Sequence, residues 1–110
     1  MNLRNRVQLI GNLGSDPLYY EFPNGMKMAK ISVATSDYFK KSNIMVKETQ
    51  WHKVVVWGNL AEIVKTNVSK GYEVVVDGSL RQNRFTDKNG VEQRSYEVIA
   101  DTILFNKPMK

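Results

Sequence analysis

The chain has 110 residues, a single histidine and no cysteine, which sizes it for one domain with one core and removes disulfide frameworks, thiolate metal sites and His-pair zinc sites. Enzyme readings lose most of their prior, and no apolar run approaches the roughly 20 residues that span a bilayer. Sixteen Lys and Arg against eleven Asp and Glu, a net charge of +5 with a pI near 9.5, favour a polyanionic partner such as nucleic acid or an acidic membrane surface.

In chain order, residues 1–6 lead into a strand rather than a signal-peptide core, so a cytoplasmic, soluble protein is expected. Residues 7–11 form a short strand with Val7 and Leu9 on one face, followed by a Gly11-Asn12-Leu13-Gly14 bend and an Asp16-Pro17 turn. Residues 18–22 are a second extended piece. Pro23-Asn24-Gly25 then signals a hairpin, because Asn and Gly tolerate the positive φ of tight turns. In residues 26–36, Lys27, Ala29, Ile31, Val33 and Thr35 alternate with Met28, Lys30, Ser32 and Ala34, the pattern of a half-buried strand. Residues 37–49 read as a polar interruption that carries Lys40, Lys41 and Lys47, with Tyr38 and Phe39 at its base. It is either a basic loop that folds over a polyanion or a solvated hairpin tip, and Phe39 is either its tether or a stacking platform.

The next strand, residues 50–58, puts Trp51, Lys53, Val55 and Trp57 on one side and His52, Val54 and Val56 on the other. Either both indoles belong to a strand buried on both faces, or they are left towards solvent because something flat and anionic docks there, as unpaired bases with their phosphates would. Leu60, Ile63, Val64 and Val68 recur at helical spacing, with Asn59 as N-cap and Gly71 as the stop, in a helix that plugs one end of a sheet. Residues 72–80 form a strand whose Gly78 marks a bulge. Residues 81–86 continue as an arm in which Arg81 and Arg84 lead up to Phe85, Asp87-Lys88-Asn89-Gly90 turns, and residues 92–100 return with Tyr96, Val98 and Ala100 facing together. The arm either presents a basic aromatic track or is an ordinary hairpin whose phenylalanine packs on its partner strand. Lys107, Pro108, Met109 and Lys110 make a short basic end beyond a domain of residues 1–105.

If the pieces flanking the Gly11 to Pro17 bend count as one broken strand, five β-segments carry a helix between the third and fourth. That is the all-β, five-stranded Greek-key barrel of the OB-fold, which binds oligonucleotides or oligosaccharides on one face. The expected chemistry is stacking of unpaired bases on the rings, with Lys27, Lys30, Lys40, Lys41, Lys47, Lys53, Arg81 and Arg84 neutralising phosphates, and no cofactor or metal. Two rivals stand beside it: an adaptor whose aromatic face meets another protein, and a nuclease built on Asp16, Asp37, Glu62 or Asp77, acids with no paired spacing.

Several strings together resemble the bacterial single-stranded DNA-binding protein family: Asn5-Arg6-Val7, Gly11-Asn12-Leu13-Gly14, Asp16-Pro17, Pro23-Asn24-Gly25, Ala34-Thr35-Ser36, Trp51-His52-Lys53-Val54-Val55, Gly58-Asn59-Leu60-Ala61-Glu62, Lys70-Gly71, Gly78 with Leu80-Arg81, and Thr86-Asp87. The resemblance implies an OB-fold that assembles as a homotetramer and binds single-stranded DNA with little sequence preference in replication, repair and recombination, associated with the nucleoid. It places the aromatic stacking positions on Phe39, Trp51, Trp57 and Phe85, though the kind of ring departs from the family's at all but Trp51, and it places His52 at the subunit interface. The family's acidic, Phe-terminated tail has no counterpart up to Lys110, so recruitment of partners by that route is not expected. Asn83 is uncharged, which leaves the basic path of the arm to Arg81 and Arg84.

Overall fold

Period-two alternation becomes strand wherever one face is buried. The computed structural model describes residues 4–108. It contains β1 (Val7–Leu13), β2 (Leu18–Glu21), β3 (Lys27–Lys41), β4 (Ile44–Trp57), α1 (Asn59–Asn67), β5 (Glu73–Thr86) and β6 (Glu92–Asn106). Residues 1–3 of the expected lead-in, and Met109 and Lys110 of the expected basic end, lie outside the described residues.

The strands follow the order β1-β5-β6-β4-β3, and β1 closes the ring on β3 through Asn12↔Ala34 and Leu13↔Val33. β4 occupies the other edge of β3 along its length, so β2, paired from Leu18↔Lys30 to Glu21↔Lys27, extends the edge that β1 uses. β1 and β2 therefore act as one broken strand. Counted that way the barrel has five strands with the helix after the third; counted separately, the helix lies between β4 and β5.

Ala29, Ile31 and Val33 from β3, Val54 and Val56 from β4, Val74 and Val76 from β5, and Val98, Ala100 and Ile103 from β6 fill the interior, closed at one end by Ala61 and Val64 of α1. Each buried valine contributes about 1.5–3 kcal/mol relative to exposure. Val68, β-branched and buried, is drawn into the same core in an extended conformation (φ −114°, ψ 136°), so the helix ends before Gly71. Its start also differs from expectation. Gly58, at φ 72°, is the N-cap without any side-chain cap, and Asn59 is already helical. A single residue separates Trp57 from the helix, and only glycine turns there without a Cβ penalty.

A larger difference lies in residues 37–49, which are not a loop. β3 and β4 stay paired in one unbroken register from Met28↔Trp57 to Lys41↔Ile44, and the chain reverses at Ser42 and Asn43, both left-handed at φ 51° and 66°, as a two-residue hairpin requires. Past the barrel both faces of this ribbon meet water, so no hydrophobic alternation marks it in the sequence. β6 likewise runs on to Asn106, opposite Glu73, because Ile103 packs in the core. The Gly78 bulge is present as a register shift between Asp77 and Gly78.

Candidate nucleic-acid interface

The unbroken β3–β4 register decides which side chains share a face. Residues 45, 47, 49, 51, 53, 55 and 57 of β4 lie with residues 40, 38, 36, 34, 32, 30 and 28 of β3, and residues on one pleat face stand together. Along some 40 Å of ribbon and barrel wall, at about 3.4 Å per residue, this outer face presents Trp57, Lys30, Lys53, Trp51, Lys47 and Lys40. Trp51 is 61% exposed and Trp57 40%, so neither indole is sealed in the interior. Val55, on the same face, is buried but lies outside the core cluster.

Two contacts orient the indoles. Phe22 stacks beside Trp57 with ring centroids 6.2 Å apart and 24° between planes, an offset geometry that aromatic pairs favour. Trp51 lies against the backbone of Gly14, where a Cβ would come within 2.3 Å of Cζ3, and the Gly14 N–H is held by the Ser32 carbonyl at 3.1 Å. Tyr20 opposes Met28, which opposes Trp57, so a third ring joins this end of the face. The Lys30 ammonium lies 5.9 Å from the Tyr20 ring centroid.

Between the outer face of β3–β4 and the β5–β6 arm runs a groove of about 520 Å³, floored by Lys30, Ser32, Lys53 and Val55 and walled by Asn83, Ser95 and Glu97, with Ser15 and Leu18 at its other lip. The arm stays in register from Gly78↔Ala100 to Thr86↔Glu92. Arg81 and Phe85 therefore share the face of Asn83 that lines the groove, and Phe85 is 52% exposed. Asp87 builds the turn at the arm's tip. Its Oδ1 accepts the N–H groups of Asn89 and Val91, both at 2.9 Å, and its Oδ2 accepts Gln93 Nε2 at 3.0 Å. These bonds, that from Gln93 first, hold its carboxyl below the usual carboxylate range.

The same registers put three expected site residues on reverse faces. Phe39 and Lys41 point to the side of Val46 and Ile44. Phe39, 42% exposed, stands opposite half-buried Val46, a cross-strand pair that braces the ribbon. Arg84 faces away from Phe85, opposite Arg94, with Nε 3.9 Å from Glu92 Oε1. Lys27 differs in another way: it lies on the core-side face and pairs with Glu62 of α1. That hydrogen bond lowers the Glu62 carboxyl and raises the Lys27 ammonium from their ordinary values.

His52, half-buried, has Nε2 2.8 Å from Thr35 Oγ1. Three of the four acids of the nuclease alternative are engaged in holding the fold: Asp16 Oδ1 accepts the Lys70 N–H at 2.8 Å, Asp77 pairs with Arg6 and Glu62 with Lys27; the fourth, Asp37, is exposed on the ribbon opposite Glu48. Among the described residues no three His, Cys, Asp or Glu side chains gather where a metal ion would fit, and no helix is long and apolar enough to cross a membrane. Sequence reasoning assigned no role to Tyr20, Phe22 or Tyr38. Hairpin pairing across Pro23-Asn24-Gly25 was the signal that could have placed Phe22 near Trp57.

Known proteins resemble this chain in sequence and in fold. The family model described as "Single-strand binding protein family" matches residues 4–106. A curated relative from Xylella fastidiosa, "Single-stranded DNA-binding protein 1", is 43% identical over 98 residues, covering 87% of this chain and 72% of the relative. Among solved structures, "Plasmodium falciparum SSB complex with ssDNA" superposes with a TM-score of 0.86 at 28% identity, covering 97% of this chain and 100% of the other. With the match running the length of the barrel and both of its projecting hairpins, the chain belongs to the single-strand binding protein family.

Proposed function

We propose that this protein binds and protects single-stranded DNA with little sequence preference during replication, repair and recombination, in the bacterial cytoplasm at the nucleoid, through a domain of residues 1–105. The observation that carries this is the single outer face on which exposed Trp51 and Trp57 alternate with Lys30, Lys53, Lys47 and Lys40, facing Arg81 and Phe85 across the groove. Rings stack bases of any identity because every base has a π-face, at about 1–3 kcal/mol per base, while the ammonium groups replace counterions along the backbone. Phe39, Lys41 and Arg84 join this site where the strand passes around the ribbon or the arm to their reverse faces. The protein is a binding protein and not an enzyme.

The assembly we propose is a homotetramer. Ile10, Val75 and Leu104 stand side by side across β1, β5 and β6 on the outer wall away from the groove, and Ile10 and Leu104 are among the most exposed aliphatic side chains. Such an apolar row fits burial between subunits, with His52 and its Thr35 bond contributing at a subunit contact. Titration with oligothymidylate, followed by tryptophan fluorescence and light scattering, tests both parts. Quenching with much weaker binding of duplex is expected. Unchanged fluorescence, or equal affinity for duplex, would count against the site, and a monomer with or without DNA would count against the assembly.

A further inference from the structure

We infer that Tyr38 is a base-stacking residue, the outermost ring on the Trp51 face of the β3–β4 ribbon. This rests on the single-stranded DNA function proposed above and adds a position to it. Register is the first ground. Because pairing runs without a shift from Met28↔Trp57 to Lys41↔Ile44, Tyr38 shares a face with Trp51, about 14 Å further out at 3.4 Å per residue, while its neighbour Phe39 points the other way. Exposure is the second. At 65% Tyr38 is the most open ring among the described residues, and no ring, cation or hydrogen-bond partner among those residues engages it. Phe39 has the apolar Val46 opposite it, whereas Tyr38 has the cation Lys47.

Its surroundings are the third ground. Lys47 stands directly across from Tyr38, and Lys40 lies two residues along on the same face. An aromatic ring flanked by two ammonium groups matches one nucleotide's needs, a π-surface for the base with cations for the adjoining phosphates. A strand leaving Trp51 along this face therefore meets Tyr38 before the hairpin tip.

Wild type, Tyr38→Ser, Tyr38→Phe and Trp51→Ala, titrated with a long oligothymidylate, provide the test. Tyr38→Ser is expected to weaken binding by about 5- to 150-fold, Tyr38→Phe to bind as wild type does, and neither to alter the salt dependence, since no cation is lost. Irradiating wild-type protein on an oligonucleotide carrying 5-iodouracil is expected to leave an adduct on Tyr38, a readout independent of how the variants fold. If Tyr38→Ser binds normally while Trp51→Ala is impaired, or if adducts form on Trp51 and never on Tyr38, the inference is overturned while the function stands. Equal losses in Tyr38→Ser and Tyr38→Phe would overturn stacking in favour of a role for the hydroxyl. Failure of the wild type to bind at all would overturn both.

Discussion

Replacing Gly14 with alanine asks whether backbone packing sets the angle of Trp51. The added Cβ would lie 2.3 Å from Cζ3 and 2.6 Å from Cη2 of the indole, against about 3.5–4.0 Å for carbons at their optimum, so the ring edge has to retreat by ~1 Å or more. Gly14 itself is held. Its N–H donates to the Ser32 carbonyl at 3.1 Å, and the Gly71 N–H donates to the neighbouring Leu13 carbonyl at 2.9 Å. Trp51 is the partner that gives way, being 61% exposed and outside the core. Fold stability should therefore change by no more than about 0.5 kcal/mol, as at ordinary surface sites, while affinity for oligothymidylate falls. The ceiling is loss of the whole stack, about 5- to 150-fold, the loss expected of Trp51→Ala.

Gly11→Ala is the control with the opposite outcome. There the Cβ would meet the Ala34 carbonyl oxygen at 2.1 Å and its carbon at 2.9 Å. Both are backbone atoms where β1 closes on β3, so the barrel bears the cost and thermal stability drops. Fluorescence titrations and thermal melts on the two variants separate the cases. Normal DNA binding by Gly14→Ala beside impaired Trp51→Ala would refute the positioning role, and a melting temperature as low as that of Gly11→Ala would show that the ring is not what yields.

Lys53→Ala should weaken binding and flatten the dependence of log affinity on log salt by about 0.7 for one lost phosphate contact, whereas Lys27→Ala, whose ammonium is engaged by Glu62, should leave that slope unchanged; titrations at several salt concentrations decide. For the same pair, Glu62 titrates lower folded than unfolded because Lys27 bonds its charged form. Its contribution is thus complete above the ordinary carboxylate range and is lost as pH falls through the lowered value. The raised Lys27 ammonium gives the mirror case, complete below the ordinary lysine range and lost as pH rises through the raised value. Wild type should melt above Glu62→Gln at neutral pH with the gap closing in acid, and a gap that persists in acid contradicts this. Converting Ser42-Asn43, both left-handed, to Asn-Gly should stabilise the ribbon by about 1 kcal/mol, read as slower hydrogen exchange in β3 and β4; unchanged exchange would argue against it.

The sequence by itself determined the barrel and its interior. Ala29, Ile31 and Val33, and Val54 and Val56, announce their inward faces because a strand with one dry side must repeat every two residues. Gly78 announced the bulge because a strand bends there without a Cβ. It also determined the chemistry of the site, rings beside cations on the Trp51 strand. Only the tertiary structure decided which rings and cations stand together. The ribbon beyond the barrel has two wet faces, so its composition carries no period. Its facing comes instead from pairing with a partner strand and from a two-residue turn, and a one-residue slip would exchange every side chain between faces. That is why Tyr38 rather than Phe39 continues the Trp51 face, why Arg84 turns away from Phe85, and why Lys27, which looked like one more surface cation, is engaged by a glutamate from a helix 35 residues further along the chain.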